Sequence, residues 1–403
     1  MLKSFKYELR PNNEQKEKIN QFLGSVRFVY NLALETKIMA WTSGRNLSCF
    51  DLNNQLPELR REVKWLQEVP AQSLQQAITN LDTAYTNFFK KRADFPRFKS
   101  KKGKQSMRFP QDIRVDFEKW QVFIPKLKWL SFNLDRKFNG SIRNATLSST
   151  PSGKYFISIL VETGEKVPIK KPVKESTTIG VDFGIKDLLI LSDGTKISNP
   201  KFLREMQKQL RIGQRKLDRR CKKEVNGKKS KEQSKGYEKQ KLVVAKLYER
   251  ISNKRKDFLD KVSTSIVKKY DTICLEDLNV AGMVRNHKLA LAIQDASWSE
   301  LKRMFEYKAE WYGKNILFIG RFEPSSKLCS CCGHINHELK LSDRTWECSV
   351  CKTEHDRDVN AANNIKTLGL RTQSPLANVK PLTGAHKKVS LKVCALGGKH
   401  NYL

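Results

Sequence analysis

The sequence TIGVDFGIKDLLILSDGTKIS at residues 178–198 decides the fold. A mostly apolar run, 178–181, leads directly to Asp182, and Phe183 and Gly184 then begin a turn. Because a second apolar run follows, the stretch predicts a strand, a return and another strand. Asp182 stands near the end of the first strand. Asp-x-Gly is also common in ordinary turns, so the meaning of Asp182 depends on the rest of the chain.

Two further acids stand in comparable surroundings. The segment YDTICLEDL (270–278) predicts a strand whose apolar run ends at Glu276. Asp358 opens DVNAANNIKTLGL (358–370), which predicts a helix ending at Gly369. Each acid alone also fits a surface strand end or a helix cap. Only their order along the chain indicates a shared site.

The elements between the acids complete that order. Residues 201–268 predict two basic helical arms, broken at Asn226-Gly227, that form an antiparallel hairpin facing nucleic acid or, alternatively, a solvated surface. Residues 297–313 predict a helix, and residues 315–320 predict a buried strand. Along the chain, the order is a strand that ends in an acid, a hairpin, helices, a second strand that ends in an acid, a helix, a strand, and a helix that begins with an acid. This is the layout of the RNase H-like fold, an α/β architecture in which three acids converge.

Converging carboxylates fit phosphodiester hydrolysis. The reaction needs an activated water and a stabilised leaving oxygen, and two Mg²⁺ ions about 3.5–4 Å apart provide both. Mg²⁺ prefers hard carboxylate oxygens and seldom binds imidazole, so His355 is not expected to be a ligand. Asp277 and Asp356 are candidates for supporting groups. The predicted catalytic residues and Mg²⁺ ligands are Asp182, Glu276 and Asp358.

The cysteines indicate a second metal site. Five of the nine lie within 23 residues, which is typical of metal binding in a reducing compartment rather than of disulfides. Two Cys-x2-Cys pairs separated by 15 residues predict a tetrahedral zinc ribbon, whose four thiolates leave no open catalytic position. Cys331 could replace a neighbouring cysteine, and His334 and His337 are spare donors. The predicted Zn²⁺ ligands are Cys329, Cys332, Cys348 and Cys351.

The charge predicts a polyanionic partner. A net charge of +35 favours DNA or RNA over a membrane surface, for which no basic amphipathic helix is evident. In KKRADFPRFKSKKGKQSMR (90–108), basic residues alternate with Phe95 and Phe98. This run favours contact with a nucleic-acid backbone over a merely solvated loop. Its predicted nucleic-acid-binding residues are Lys90, Lys91, Arg92, Arg97, Lys99, Lys101, Lys102 and Arg108.

The N-terminal part predicts a different architecture. A short strand over residues 3–9 precedes a helical region, and residues 106–166 predict a β-rich region with a hairpin closed around 151–153 and a plausible small barrel. The Pro/Lys-rich segment 167–177 predicts a linker. The predicted helices cover residues 12–41, capped by Asn12 or Asn13, residues 52–66 and a segment after Pro70.

The composition also indicates where the protein works. No apolar run approaches the roughly 18 residues of a membrane span, and the first residues lack the apolar core of a secretory signal. Reduced cysteines and a nucleic-acid partner fit a cytoplasmic protein that acts on DNA of the nucleoid.

Taken together, the motifs resemble those of TnpB, the OrfB-type family of insertion sequences that is related to type V CRISPR effectors. The resemblance covers about residues 1–370. The matching segments are YELRPNNEQKEKINQFLGSVRFVYN (7–31), WLQEVPAQSLQQAITNLDTAYTNFF (65–89), FPRFKSKK (95–102), GVDFGIKDLLILSDG (180–194), ICLEDLNVAGM (273–283), SSKLCSCCG (325–333) and WECSVCKTEHDRDVNAANNI (346–365).

The resemblance implies a multidomain architecture. The acids of the family's RuvC-like nuclease correspond to Asp182, Glu276 and Asp358, so no acid is missing. The implied domains are a wedge-like β-barrel (1–10 and 93–170), an inserted helical recognition domain (11–92), a RuvC-like nuclease domain (171–328 and 352–370, with the basic insertion 201–268), a zinc ribbon (329–351) and a poorly ordered basic tail (371–403).

The resemblance also implies a function. A guide RNA from the transposon end would bind the protein and pair with one DNA strand, and the single nuclease site would cut double-stranded DNA beside a short transposon-associated motif. One alternative is a transposase or a transposition-accessory DNA-binding protein, although the chain lacks the His-x-His motif of single-strand transposases. A nuclease-silent RNA-guided repressor is a second alternative, and a zinc-ribbon nuclease without a guide is a third.

Overall fold

The computed structural model describes residues 1–372 except 134, 222–233, 322 and 341, and the side chain of 288 is also not described. The turn predicted at Asn226-Gly227 and nearly all of the predicted tail lie outside these residues. The chain divides into two compact units: Met1–Lys171 with Asn199–Lys269 and Val280–Lys314, and Pro172–Ser198 with Tyr270–Asn279 and the chain from Asn315 onward. None of the described helices is long and apolar enough to cross a membrane.

The first unit contains two antiparallel sheets. One sheet has four strands, in the order Leu2–Leu9, Tyr155–Glu162, Ser141–Ser149 and Gln105–Phe109. The other has three strands in chain order, Arg114–Asp116, Gln121–Ile124 and Lys128–Ser131. An isolated bridge between Leu9 and Phe132 joins them, and closure into a barrel stays a prediction. The hairpin predicted around 151–153 is confirmed, because Ser149 pairs with Tyr155. The strands are β1 (Leu2–Leu9), β2 (Gln105–Phe109), β3 (Arg114–Asp116), β4 (Gln121–Ile124), β5 (Lys128–Ser131), β6 (Ser141–Ser149) and β7 (Tyr155–Glu162).

The helices of this unit follow the predicted order with two differences. Asn12 caps the first helix through a capping box with Gln15. The helix predicted over 52–66 begins earlier and ends at Glu62, before a 3₁₀ turn at Lys64–Glu68. The helices Val280–Met283 and His287–Ala296 were not predicted. The helices are α1 (Asn13–Thr42), α2 (Cys49–Glu62), α3 (Ala71–Phe89), α4 (Phe202–Arg220), α5 (Lys235–Lys269), α6 (Val280–Met283), α7 (His287–Ala296) and α8 (Trp298–Tyr312).

Helices α4 and α5 form the predicted antiparallel pair. Phe202 at the start of α4 meets Phe258 late in α5, with ring centroids 6.0 Å apart. At the other end, the Arg220 guanidinium donates to the carbonyl of Gly236 at 3.1 Å. Between these points, a Cβ on Gly213 would lie 3.3 Å from Val244, so the glycine lets the helices approach closely.

The second unit is a five-stranded mixed sheet covered by one helix. Its strand order is β10-β9-β8-β11-β12; β8, β9 and β10 form an antiparallel meander, and β11 is parallel to both β8 and β12. The apolar runs at 178–181 and 273–275 are buried, as their composition predicts. The elements are β8 (Thr178–Phe183), β9 (Asp187–Leu191), β10 (Lys196–Ser198), β11 (Thr272–Glu276), β12 (Asn315–Ile319), β13 (Thr345–Glu347), β14 (Glu354–Asp356) and α9 (Arg357–Arg371).

The prediction that the last helix ends at Gly369 is wrong. Helix α9 continues to Arg371, the first residue of the predicted tail. Gly369 lies inside the helix because it packs against β11, where an added Cβ would stand 2.6 Å from the Cys274 Sγ. The missing side chain thus serves close packing of helix on sheet rather than helix termination.

Candidate functional site

The three predicted acids come from three neighbouring elements of the second unit. Asp182 is the penultimate residue of β8, and Glu276 is the last residue of the adjacent parallel strand β11. Because Val181 pairs with Leu275, these two acids follow at the same level and on the same face of the sheet. Asp358 lies in the first turn of α9, the helix that packs on β8.

The acids interact electrostatically. Burial raises the pKa of Asp182 to about 7, and the negative charges of Glu276 and Asp358 contribute to that rise. The backbone N–H of Phe183 and the Arg357 guanidinium act in the opposite direction. Burial is the larger cause of the raised pKa, because it disfavours the charged carboxylate, and repulsion from the two acids adds to it. A bound cation would relieve the repulsion.

Each of the outer acids has a fixed neighbour. The Ser325 hydroxyl donates to Glu276 Oε1 at 2.6 Å. Asp358 lies 3.5 Å from a guanidinium nitrogen of Arg344. Asp358 also begins a well-capped helix, because the carboxylate of Asp356 accepts hydrogen bonds from the backbone N–H groups of Asp358 and Val359 at 3.1 Å each.

The two predicted supporting acids are paired with basic side chains. Asp356 accepts from the Lys196 ammonium at 2.6 Å while it caps α9. Asp277 forms an ion pair with Arg321 at 2.8 Å. Their charges are therefore compensated locally, whereas burial and two neighbouring acids raise the pKa of Asp182.

The four predicted cysteines of the second site come together. Among the described residues, Cys329, Cys332, Cys348 and Cys351 are the one group whose metal-binding atoms all lie within 4.8 Å of one another. The Sγ atoms of Cys329 and Cys351 are 3.6 Å apart, as are those of Cys332 and Cys348. A tetrahedron with Zn–S bonds of about 2.3 Å has edges of about 3.8 Å, so four thiolates in this arrangement fit Zn²⁺.

The backbone around the cysteines explains the spacing. Gly333 adopts a φ of +76°, which a glycine accepts without strain, and its N–H donates to the Cys329 carbonyl at 2.9 Å. Lys352 makes the equivalent bond to the Cys348 carbonyl at 2.9 Å. Cys331 is exposed and outside the group, which decides the question that the spacing left open.

The three histidines near the cysteines do not belong to the four-cysteine group. His334 and His337 are not part of the cysteine group, and the His334 ring lies 3.2 Å from the Ser349 hydroxyl. His355 is buried, packs against Trp346 at 4.8 Å between ring centroids, and places Nε2 3.0 Å from Cys329 Sγ. The sequence spoke against His355 as a Mg²⁺ ligand but did not predict its contact with Cys329.

The basic run 90–108 lies in the first unit. All eight predicted nucleic-acid-binding side chains belong to exposed residues. The backbone of Lys99 is fixed by both ends of the Asn31 amide, at 2.7 and 2.9 Å. Phe95 and Phe98 are 45% and 57% exposed, and Phe95 packs edge-on against Tyr85. The run thus presents cations and aromatic faces together, as nucleic-acid surfaces do.

Three family profiles match separate parts of the chain. The OrfB_IS605 family, described as "Probable transposase", matches residues 158–287. A "Cas12f1-like, TNB domain" matches residues 298–365, which include the cysteine group. A helix-turn-helix domain of the OrfB_IS605 type matches residues 1–46, although these residues form one strand and one long helix here.

Similar proteins cover nearly the whole chain. A "Putative RNA-guided DNA endonuclease" of Streptomyces pristinaespiralis is 37% identical over 94% of this chain and 92% of its own length. The "Putative RNA-guided DNA endonuclease InsQ" of Escherichia coli K12 is 33% identical over 91% and 92%. The chain of a Cas12f1–sgRNA–target DNA complex shares the fold, with a TM-score of 0.53, 17% identity, and coverage of 88% and 83%.

Proposed function

Because this chain belongs to the TnpB-like, OrfB_IS605 family, which is related to type V CRISPR effectors, we propose that it is an RNA-guided DNA endonuclease encoded by an insertion sequence. A guide RNA from the transposon end pairs with one strand, and the protein cuts double-stranded DNA next to a short transposon-associated motif. The bacterial relatives favour action in a prokaryotic cytoplasm, on DNA of the nucleoid. The observation that carries the nuclease assignment is geometric: Asp182 and Glu276 lie at the ends of two adjacent parallel strands, and Asp358 lies in the first turn of the helix packed on them.

The proposed site is a RuvC-like nuclease site built from Asp182, Glu276 and Asp358. These carboxylates would hold two Mg²⁺ ions, because hard oxygens are the ligands that Mg²⁺ prefers. Bound Mg²⁺ supplies an activated water and stabilises the leaving oxygen. The three carboxylates are carried by two strand ends and one helix start of the same unit, and Ser325 orients Glu276 through its hydroxyl. Burial of Asp182 strengthens the electrostatic attraction for a cation.

The cysteine group is proposed to hold one structural Zn²⁺. Four sulfur ligands complete its coordination, so it takes no part in the chemistry of cleavage. The Sγ separations of 3.6 Å support this assignment, as does the match of residues 298–365 to a Cas12f1-like domain.

The proposed division of labour assigns nucleic-acid binding to the basic surfaces. We assign residues 1–10 and 93–170 to a wedge, 11–92 to a recognition domain, and 171–328 with 352–370 to the RuvC-like domain around the zinc ribbon 329–351. The exposed basic run 90–108 would contact RNA or DNA backbone. Base pairing then supplies sequence choice, while the protein supplies affinity for phosphate.

The guided part of the proposal is tested by the RNA that accompanies the protein. The protein would be expressed with its native flanking DNA, purified, and its bound RNA sequenced. We expect a discrete RNA with a constant scaffold and a 3′ segment from outside the element. Random cellular RNA alone would contradict guiding and favour a transposition-accessory or unguided nuclease role.

The catalytic part is tested on the target that this RNA names. Asp182→Ala should abolish Mg²⁺-dependent cleavage while RNA binding survives, because the acid holds metal and not RNA. Asp343→Ala is the matched control, since Asp343 accepts from the Lys340 N–H of its own loop at 2.9 Å and should leave cleavage unchanged. Retained cutting by the Asp182 variant would refute the site.

A further inference from the structure

Two asparagines of α9 are buried and form hydrogen bonds with the backbone of the loop 325–330. Asn360 and Asn364 lie one helical turn apart, and each is 2% exposed. The Asn360 amide donates to the Leu328 carbonyl at 2.7 Å and accepts from the Ser330 N–H at 3.0 Å. The Asn364 amide donates to the Leu328 and Ser325 carbonyls, at 2.6 and 2.7 Å. Buried amides are costly unless bonded, so this set of contacts fixes α9 to the loop 325–330.

The loop 325–330 also reaches the other two parts of the site. At its first residue, the buried Ser325 hydroxyl donates to Glu276 at 2.6 Å. Near its end it carries Cys329, the first cysteine of the metal group. One short loop therefore contacts the strand acid Glu276, the helix that carries Asp358, and the cysteine group.

We propose that Ser325, Asn360 and Asn364 are positioning residues that set the relative placement of Glu276 and Asp358 and tie both acids to the zinc ribbon. This inference rests on the proposed nuclease function and deepens it. None of the three side chains needs to touch DNA. Ser325 acts through Glu276, and the asparagines act by holding α9 against the loop that presents Ser325. We call the three residues the Ser–Asn tie.

The tie has a consequence that a purely structural role lacks. Outer partners that orient metal ligands usually change metal affinity or activity about 10- to 100-fold when they are removed. Ser325→Ala deletes one oxygen and leaves the backbone contacts of the asparagines in place. It should raise the Mg²⁺ concentration for half-maximal cleavage by about tenfold or more, and should weaken Mn²⁺ binding measured by calorimetry on the protein–RNA complex.

The matched controls separate positioning from folding. Ser325→Thr keeps the hydroxyl and should restore most of the metal affinity. Ser330→Ala makes the same chemical change in the same loop on an exposed side chain, and it keeps the N–H that binds Asn360. It should match the wild type in Mg²⁺ requirement. Zinc content by elemental analysis and the melting temperature should stay unchanged in all three variants.

The role of the asparagines is tested by replacing Asn364 with aspartate, whose side chain has nearly the same volume. Asn364→Asp removes both amide donors and places a carboxylate against two carbonyl oxygens. It should raise the Mg²⁺ requirement as Ser325→Ala does, and also lower the melting temperature, because a buried acid is left without donors.

Three outcomes would overturn the tie. One is a Ser325→Ala variant with the Mg²⁺ requirement and Mn²⁺ affinity of the wild type. Another is a loss of activity that high Mg²⁺ does not recover and that accompanies loss of zinc or of the folded state, since that would mark a merely structural role. Cleavage by Asp182→Ala would overturn the proposed site and the tie with it, so the two failures are distinguishable.

Discussion

At the scale of single residues, Asp182 makes the stability of the folded protein depend on pH. Its folded pKa of about 7 lies above the ordinary value of 3.8 because burial and two neighbouring acids disfavour its charge. Between those two pH values the folded state binds more protons than the unfolded state, so stability falls as pH rises through this window. Without a cation, Asp182 therefore destabilises the folded protein most at neutral pH and above, where it is charged and would bind a cation.

Asp182→Asn should therefore stabilise the protein while it abolishes cleavage. In buffer without added Mg²⁺ at pH 8, the variant should melt a few degrees higher than the wild type, and the gain should shrink as the pH is lowered toward 4. Differential scanning calorimetry over that range measures both effects.

Asp343→Asn is the appropriate comparison for the Asp182 change. Hydrogen bonds from the Lys340 N–H and the Ser342 hydroxyl hold the pKa of Asp343 below its usual value, so its charged form is stabilising. Its replacement should not raise the melting temperature. An Asp182→Asn protein that melts no higher than the wild type at pH 8 would contradict a raised pKa of Asp182 in the folded state.

At the scale of elements, the contact between β8 and α9 depends on a residue without a side chain. A Cβ on Gly180 would lie 2.7 Å from the Lys366 nitrogen and closer still to the Ala362 carbonyl. Gly180→Ala must therefore push α9 away from the strand that carries Asp182. We expect a decrease of about 3 kcal/mol in stability by denaturant titration, together with lower cleavage.

Gly24→Ala provides the contrast for that substitution. Gly24 lies in α1, where a Cβ would meet only the Arg27 side chain at 3.7 Å, so the change should be neutral or stabilising by roughly 1 kcal/mol. Equal destabilisation by both substitutions would mean that the close approach of α9 to β8 does not govern stability.

The four-cysteine group is the element whose order we expect to depend on a bound metal. Cys348 is fully buried within the four-cysteine group, and structural Zn²⁺ binding is folding free energy. Cys348→Ser should lower bound zinc and make the C-terminal region more sensitive to protease. Elemental analysis with limited proteolysis tests this, and the exposed Cys331→Ser variant should keep its zinc. Unchanged metal in the Cys348 variant would reject the zinc site.

The sequence predicted an element correctly where a local pattern of residues is compatible with only one structure. Apolar runs predicted β8 and β11, the cysteine spacing predicted the metal group, and Asn12 was a correct cap. The Ser–Asn tie could not be predicted, because a polar residue on a helix ordinarily faces solvent. Asn360 and Asn364 are buried only because distant carbonyls at 325 and 328 meet them.

The burial of one lysine in the first unit could not be predicted from the sequence either. Lys308 of α8 is 4% exposed, and its ammonium donates to Ser263 and Thr264 of α5 at 2.9 and 2.7 Å. An ion pair with Asp260 at 2.9 Å compensates the charge of this ammonium. In the sequence, Lys308 is one basic residue among 77, and only the packing of α8 against α5 distinguishes it.

At the scale of the whole molecule, the net charge of +35 sets how binding responds to salt. Each neutralised phosphate releases counterions, so affinity for RNA should fall steeply and linearly on a plot of log K against log salt. The total charge alone does not say which cations contribute. The exposed run 90–108 is the predicted contact, and a charge-matched pair of substitutions can distinguish contact from general attraction.

Replacement of Lys101 and Lys102 by alanine should weaken RNA binding and reduce the salt slope by about 0.7 to 0.9 for each phosphate that these lysines neutralise. Replacement of Lys241 and Lys261 removes the same charge, but those lysines are paired with Glu238 and Asp257 on their own helix, at 3.3 and 2.7 Å. The second pair should leave the slope nearly unchanged. Filter binding at several salt concentrations measures both slopes. If the two double variants reduce the salt slope equally, Lys101 and Lys102 contribute only to the general electrostatic attraction of the protein for RNA. The residues that contact RNA phosphates must then lie elsewhere on the protein.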